Sequence, residues 1–194
     1  MSIVRETWDR FRAAGREGEL IERELGDHWD DLRFPVSTIN PPGAVSDPDI
    51  DTADGTLLFD DSATEIVFMQ VQMPHAWKTG SPISPHVHWC KTSSASGAVS
   101  WNLSYRWADI GDVFGAWSTA DKATLQITDG DTEDQHALSE FSEIVPPANG
   151  VSSMFLIKLY RDGSDDTYAA DAKLLEFDIH YQIDSRGSDT EYTK

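Results

Sequence analysis

The chain has 194 residues and carries Lys+Arg 15 against Asp+Glu 34, a formal net charge of −19. That excess repels nucleic acid and anionic membrane surfaces, and it argues against the function classes that bind them. Disorder is excluded as well, because 39% of residues are hydrophobic and seven Trp, five Tyr and eight Phe are costly to leave in water.

Residues 1–25 read as a helical attachment arm. Val4, Trp8 and Phe11 recur at helical spacing, Ser2 is placed to cap the first turn, and Gly15 and Gly18 interrupt the helix. Leu20, Ile21 and Leu25 form a second short amphipathic piece that Gly26 stops. The stripe is too narrow to be a core by itself, so it lies either on its own domain or on a partner. In the second case Val4, Trp8, Phe11, Leu20 and Ile21 are the attachment residues.

Residues 26–55 are rich in Asp, Pro and Gly without a sustained period, which predicts an extended linker. Asp47, Asp49, Asp51 and Asp54 have the look of a calcium loop. An EF-hand, however, needs Gly and Glu where Thr52 and Leu58 stand, so a solvated turn is expected.

Beyond Gly55 the hydrophobic period becomes two. Strands are expected at Thr56–Asp60, Glu65–Met73, Ile83–Lys91, Val99–Trp107, Ala123–Thr128, Ala137–Ile144, Val151–Tyr160 and Lys173–Ile183. In the fourth, Val99, Trp101, Leu103, Tyr105 and Trp107 face one way. In the eighth, Leu175, Phe177, Ile179, Tyr181 and Ile183 oppose Leu174, Glu176, Asp178, His180 and Gln182. Eight such strands without interleaved helices predict an all-β fold over residues 56–183. The expected form is an antiparallel β-sandwich of jelly-roll type, followed by a polar tail at 184–194.

One motif carries possible chemistry: Gly80-Ser-Pro-Ile-Ser-Pro-His86-Val-His88-Trp89. Two His at i and i+2 on a strand point to one side, as a sheet would present two imidazoles to one ion. The spacing is similar to the opening of the first cupin motif, but the Glu expected after the second His is missing from Trp89–Ser93. Two ligands fall short of the three or four that a stable site recruits, so no metal and no cofactor are expected. If an ion were bound, His86, His88 and His180 would be its ligands. Ile83, Val87 and Trp89 take the apolar side, which puts His86, His88 and Cys90 on the opposite face, whereas cupin ligands point inward. In jelly-roll connectivity the third strand lies beside the eighth. His86 and His88 would then meet Glu176, Asp178 and His180, a candidate subunit interface.

Other chemistries leave no signature: GxSxG, CxxC, HExxH and a phosphate-cradling Gly-rich loop are all missing from the sequence. Cys90, the only cysteine, excludes an internal disulfide framework and a thiolate-rich zinc site. Trp77 and Trp117 fall in loop-like sequence and could stack on sugars, which keeps a carbohydrate-binding module as an alternative beside a cupin-like metalloenzyme.

GDHWDDLRFPVSTINPPG at 26–43, MPHAWKTGSPISPHVHW at 73–89 and SWNLSYRWADIGDVF at 100–114 resemble a family of small structural proteins of tailed bacteriophages. The resemblance implies a non-enzymatic virion component, a capsid decoration or cement protein, with a tail or tail-fibre protein as the alternative. It further implies a homotrimer whose other partner is the major capsid protein or another virion protein. The start is too charged for a secretory signal and no apolar run approaches about 18 residues. The expected place is therefore the virion surface, after synthesis in the bacterial cytoplasm.

Overall fold

A computed structural model describes residues 28–127, 132–146 and 150–192. The expected attachment residues Val4, Trp8, Phe11, Leu20 and Ile21 lie outside them. The described residues form ten strands and two three-residue 3-10 turns, with no α-helix among them. In chain order the strands are β1 (His28–Pro35), β2 (Asp49–Ile50), β3 (Leu57–Phe59), β4 (Thr64–Gln72), β5 (Ile83–Lys91), β6 (Gly97–Ala108), β7 (Asp121–Ile127), β8 (His136–Glu140), β9 (Met154–Asp162) and β10 (Ala172–Ile183). All pairings are antiparallel. One sheet has the order β2-β3-β10-β5-β8, with β1 added to β10, and the other has the order β4-β9-β6-β7.

The protein is thus an antiparallel β-sandwich. Each of the eight strands expected from the alternation is present, the third, β5, with the expected ends and the others with shifted ones, and β5 pairs with the last, β10. Alternation works because each sheet buries one face. Val99, Trp101 and Leu103 of β6 and Phe155, Ile157 and Leu159 of β9 meet Val87 and Trp89 of β5 and Phe177 and Ile179 of β10. Trp101 is the centre of an aromatic cluster, with the Phe59 ring edge-on at 5.0 Å and Trp89 at 6.3 Å. Burying each of these side chains is worth about 1.5–3 kcal/mol. Tyr105, expected in this core, is only partly buried against it.

Three expectations need correction. The stretch 26–55 is not simply a linker, because residues 28–35 form a strand that pairs along β10 from His28↔Ile183 to Pro35↔Glu176. Only Leu32 and Phe34 of this strand turn inward with apolar side chains, too few to show a period; the Phe34 ring lies 5.8 Å from Phe177. The second concerns β10, where an irregularity between Leu174 and Glu176 breaks the alternation. Leu174 is fully buried and Leu175 is displaced from the core face, the reverse of the expected assignment. The third is the polar tail, whose start is tied down: Asp184 N–H donates to Ala76 O, and Ser188 Oγ lies 2.7 Å from His75 Nδ1.

The expected solvated turn at 47–54 is held by internal partners. Asp47 accepts from the Gly43 and Ala44 amides, while Lys173 of β10 reaches Asp51, Asp54 and Asp134 at 3.0–3.2 Å. These contacts raise the Lys173 pKa, with the Asp51 hydrogen bond foremost.

At the inner end of β9 the periodicity places Arg161 where a hydrophobe would stand, and it is completely buried. Its Nε and Nη2 donate to the Asp166 carboxylate at 2.7 and 3.2 Å, Nη1 to the Phe59 and Ala170 carbonyls, and Nη2 also to Tyr168 O. All its donor groups are therefore used. Gly97, with φ +151, lets the same loop close on β6, since a Cβ there would lie 2.6 Å from Thr167 O. Arg161→Met should destabilise the domain by about 3–5 kcal/mol, because Asp166 would stay buried without its cation. Arg161→Met combined with Asp166→Leu should recover part of that loss in urea unfolding.

Candidate functional site

The outer face of the six-stranded sheet is a grid set by strand register. Across it lie Asp31 (β1), His180 (β10) and Ser84 (β5), then Arg33, Asp178, His86 and Glu140, then Pro35, Glu176, His88 and Leu138. The next position pairs Cys90 with His136 of β8. A period of two on four adjacent strands therefore puts four imidazoles and several carboxylates on one surface.

Their rings form a continuous row. Centroids are 4.9 Å apart for His136 and His88, 5.0 Å for His88 and His86, and 4.3 Å for His86 and His180. Asp178, nearly buried, sits at the middle: its Oδ1 is 2.5 Å from His86 Nε2 and its Oδ2 is 3.5 Å from His88 Nε2. His88 Nδ1 is 2.7 Å from His136 Nε2, and His86 Nδ1 faces the Ser84 carbonyl at 3.4 Å. Burial opposes a charge on His86, but the attraction of Asp178 outweighs it and raises the pKa. For His88 burial prevails despite Asp178, helped by repulsion from His86 and His136, and the pKa is lowered. Beside the row opens a cleft of about 430 Å³, lined by Asp31, Arg33, His88, His136, Leu175, Glu176 and Asp178.

The structure brings together all five residues expected at a subunit interface, yet β1 occupies two of them from within the chain. Arg33 Nε and Nη2 donate to Glu176 Oε1 and Oε2 at 2.6 Å each, and His180 Nε2 lies 3.2 Å from Asp31 Oδ1. Asp178 rather than His180 is the third member of the group whose ligand atoms converge with those of His86 and His88, while His180 converges with Asp31 and the same Asp178. Sequence reasoning missed Asp31, Arg33 and His136. The first two lie on the strand read as linker, and His136 falls one residue before the expected strand. The histidines leave the outer face of the sheet, so the site lacks the inward geometry of a cupin.

Of the two tryptophans considered for sugar stacking, Trp77 is 2% exposed and packs 5.7 Å from Trp107, so it offers no surface. Trp117 is half-buried on the other sheet, with the Arg106 guanidinium 4.7 Å and the Lys158 ammonium 5.6 Å from its ring centre. It borders a smaller cleft of about 240 Å³ with Phe68, Gln70 and Leu156.

Two outcomes follow from this surface. Cys90 lies under the 132–135 turn, and burial pushes its thiol up to about 11, so iodoacetamide at pH 8 should label it only after unfolding. Phe34→Ala should cost about 3–5 kcal/mol and free β1 from β10, read as lost hydrogen-exchange protection of amides 28–35.

No protein-family model matches the chain, and no curated protein does. Solved structures similar in fold include a Paenibacillus sp. cycloisomaltooligosaccharide glucanotransferase (13% identity, 75% of this chain and 18% of that one, TM-score 0.45). Another is an isomalto-dextranase of Arthrobacter globiformis T6 (12% identity, 77% of this chain and 23% of that one, TM-score 0.42). A third is a mannan-recognising carbohydrate-binding module, TmCBM27 (10% identity, 79% of this chain and 98% of that one, TM-score 0.40). The chain therefore spans about a fifth of the first two, and the likeness is one of fold alone.

Proposed function

We propose that this chain is a non-enzymatic structural component of a tailed-bacteriophage particle, a trimeric jelly-roll knob held on the capsid surface. It attaches through the 1–25 arm and the end of the sandwich at which β1 starts. The strand order supports the jelly-roll reading, since successive strands from β3 to β10 are shared between two sheets ordered β3-β10-β5-β8 and β4-β9-β6-β7.

The observation that carries the attachment is the character of that end. His28 pairs there with Ile183, and Ile83 bridges to Ile144. The loop leaving β6 starts at Asp109, which accepts from Gly150 N–H and Ser153 Oγ, so it springs from the same end. Ile110, Val113, Phe114, Val145 and Met154, all on these segments, are exposed, Val113 at 90%. Apolar side chains gathered at one end of an acidic domain suit a surface that is covered in an assembly. The resemblance of residues 26–43, 73–89 and 100–114 to virion structural proteins supplies the kind of assembly, and the net charge of −19 suits an outward-facing rather than a DNA-facing place.

Mass spectrometry of purified particles is the direct test, with capsid and tail fractions separated to distinguish decoration from a tail or fibre location. Val113→Asp with Phe114→Asp, and separately deletion of residues 1–25, should abolish incorporation. The melting temperature of the double substitution should stay unchanged, because the altered side chains are at the surface. Incorporation at wild-type level by both variants would overturn the reading.

A further inference from the structure

We propose that His86, His88 and Asp178 bind one divalent transition-metal ion of the zinc class, with the remaining coordination position open to the adjoining cleft. The inference stands on the outer face of the six-stranded sheet and does not depend on a particle role.

Its basis is a convergence of lone pairs. One ligand atom from each of the three residues lies within 4.8 Å of the other two. A tetrahedral ion with bonds of about 2.0–2.2 Å sets its ligand atoms roughly 3.3 Å apart. The 2.5 and 3.5 Å separations of the two Nε2 atoms from the Asp178 oxygens bracket that spacing. A carbonyl only accepts, so His86 presents an Nδ1–H to Ser84 O and turns Nε2 toward Asp178. His88 is oriented in the same way by His136, which holds Nδ1 at 2.7 Å and leaves Nε2 facing the carboxylate. A ring nitrogen fixed by an outer partner while the other points at the site is the usual arrangement of a metal-bound histidine.

A second observation concerns Asp178 itself. Its residue is 6% exposed, and its Oδ1 has a single close partner, His86 Nε2 at 2.5 Å. A buried carboxylate needs a cationic partner, and a metal ion bound by both atoms would supply one once the 2.5 Å contact opens by roughly 0.8 Å to ligand spacing. Two imidazoles and a carboxylate are a donor set for zinc, cobalt, nickel or iron rather than for calcium or magnesium, which prefer oxygen. The cleft beside His88, with Arg33 at its rim, gives the ion an entry path and room for water or an anion as a further ligand.

The test uses the full chain after EDTA treatment and dialysis. Native mass spectrometry and calorimetry with Zn²⁺ should show one ion per chain, a raised melting temperature and, with Co²⁺ in its place, visible absorption of low-symmetry coordination. His88→Gln, Asp178→Asn and His86→Gln should each weaken Zn²⁺ binding at least about tenfold, and His136→Gln should weaken it by about tenfold through the loss of orientation. His75→Ala, a histidine bonded to Ser152 and Ser188, should leave it unchanged. His88 is the most exposed of the three, so His88→Gln keeps the test valid if the buried variants fail to fold. Absence of stoichiometric binding, or undiminished binding by His88→Gln, would overturn the proposal.

Discussion

Arg161 is the constraint around which the sandwich is arranged. A guanidinium with no exposed surface at the inner end of β9 is tolerable only if every N–H is satisfied, and its acceptors come from β3, from Asp166 and from the carbonyls of Tyr168 and Ala170. The loop from 163 to 171 therefore has one permitted course. That course delivers the chain into β10 at Ala172, opposite Phe59 on one side and Lys91 on the other. The charge specifies position more than it adds stability, since a well-packed apolar replacement for the pair could be equally stable.

From that fixed entry β10 organises the six-stranded sheet. Its first residues, 172–174, pair with β3, residues 176–183 pair with β1, and its other side runs along β5 from Ala172 to Tyr181. Lys173 ties two acidic turns to its beginning, and the irregularity at Leu175 rotates the following residues so that Glu176, Asp178 and His180 share the face of His86 and His88. Without the extra residue the same strand would send Asp178 toward the core. One local break in pleating thus brings Asp178 and His180 to the row, which His86, His88 and His136 form on β5 and β8 without it.

Legibility followed the strength of alternation. β5, β6 and β9 have long apolar faces, that of β9 running from Phe155 to Leu159 before Arg161, and their sequence periods place them within a few residues. β1 escaped because Trp29, Asp31 and Arg33 face outward while His28 and Asp30 dilute its inner side, leaving Leu32 and Phe34 alone to indicate burial. The Leu174-Leu175 pair hid the change of face, because two adjacent leucines satisfy either assignment. Adjacency of His86 to Asp178 was readable from connectivity, since the third and eighth strands of a jelly roll are neighbours. The partners that define the site's chemistry were not, for they require the register of β1 and the diagonal reach of His136 across to His88.

β1 also changes what the sheet presents at its margin. Without it, most of β10 would be an open edge of unsatisfied amides and carbonyls, flanked by apolar residues and suited to capture an extended segment of another molecule. In its place stands a strand bearing Asp30, Asp31, Arg33 and a terminal Pro35, which has no N–H to donate. Charge and proline discourage a further strand from joining at this margin. Copies held at high local density would remain separate folded units rather than fuse through continuous sheets.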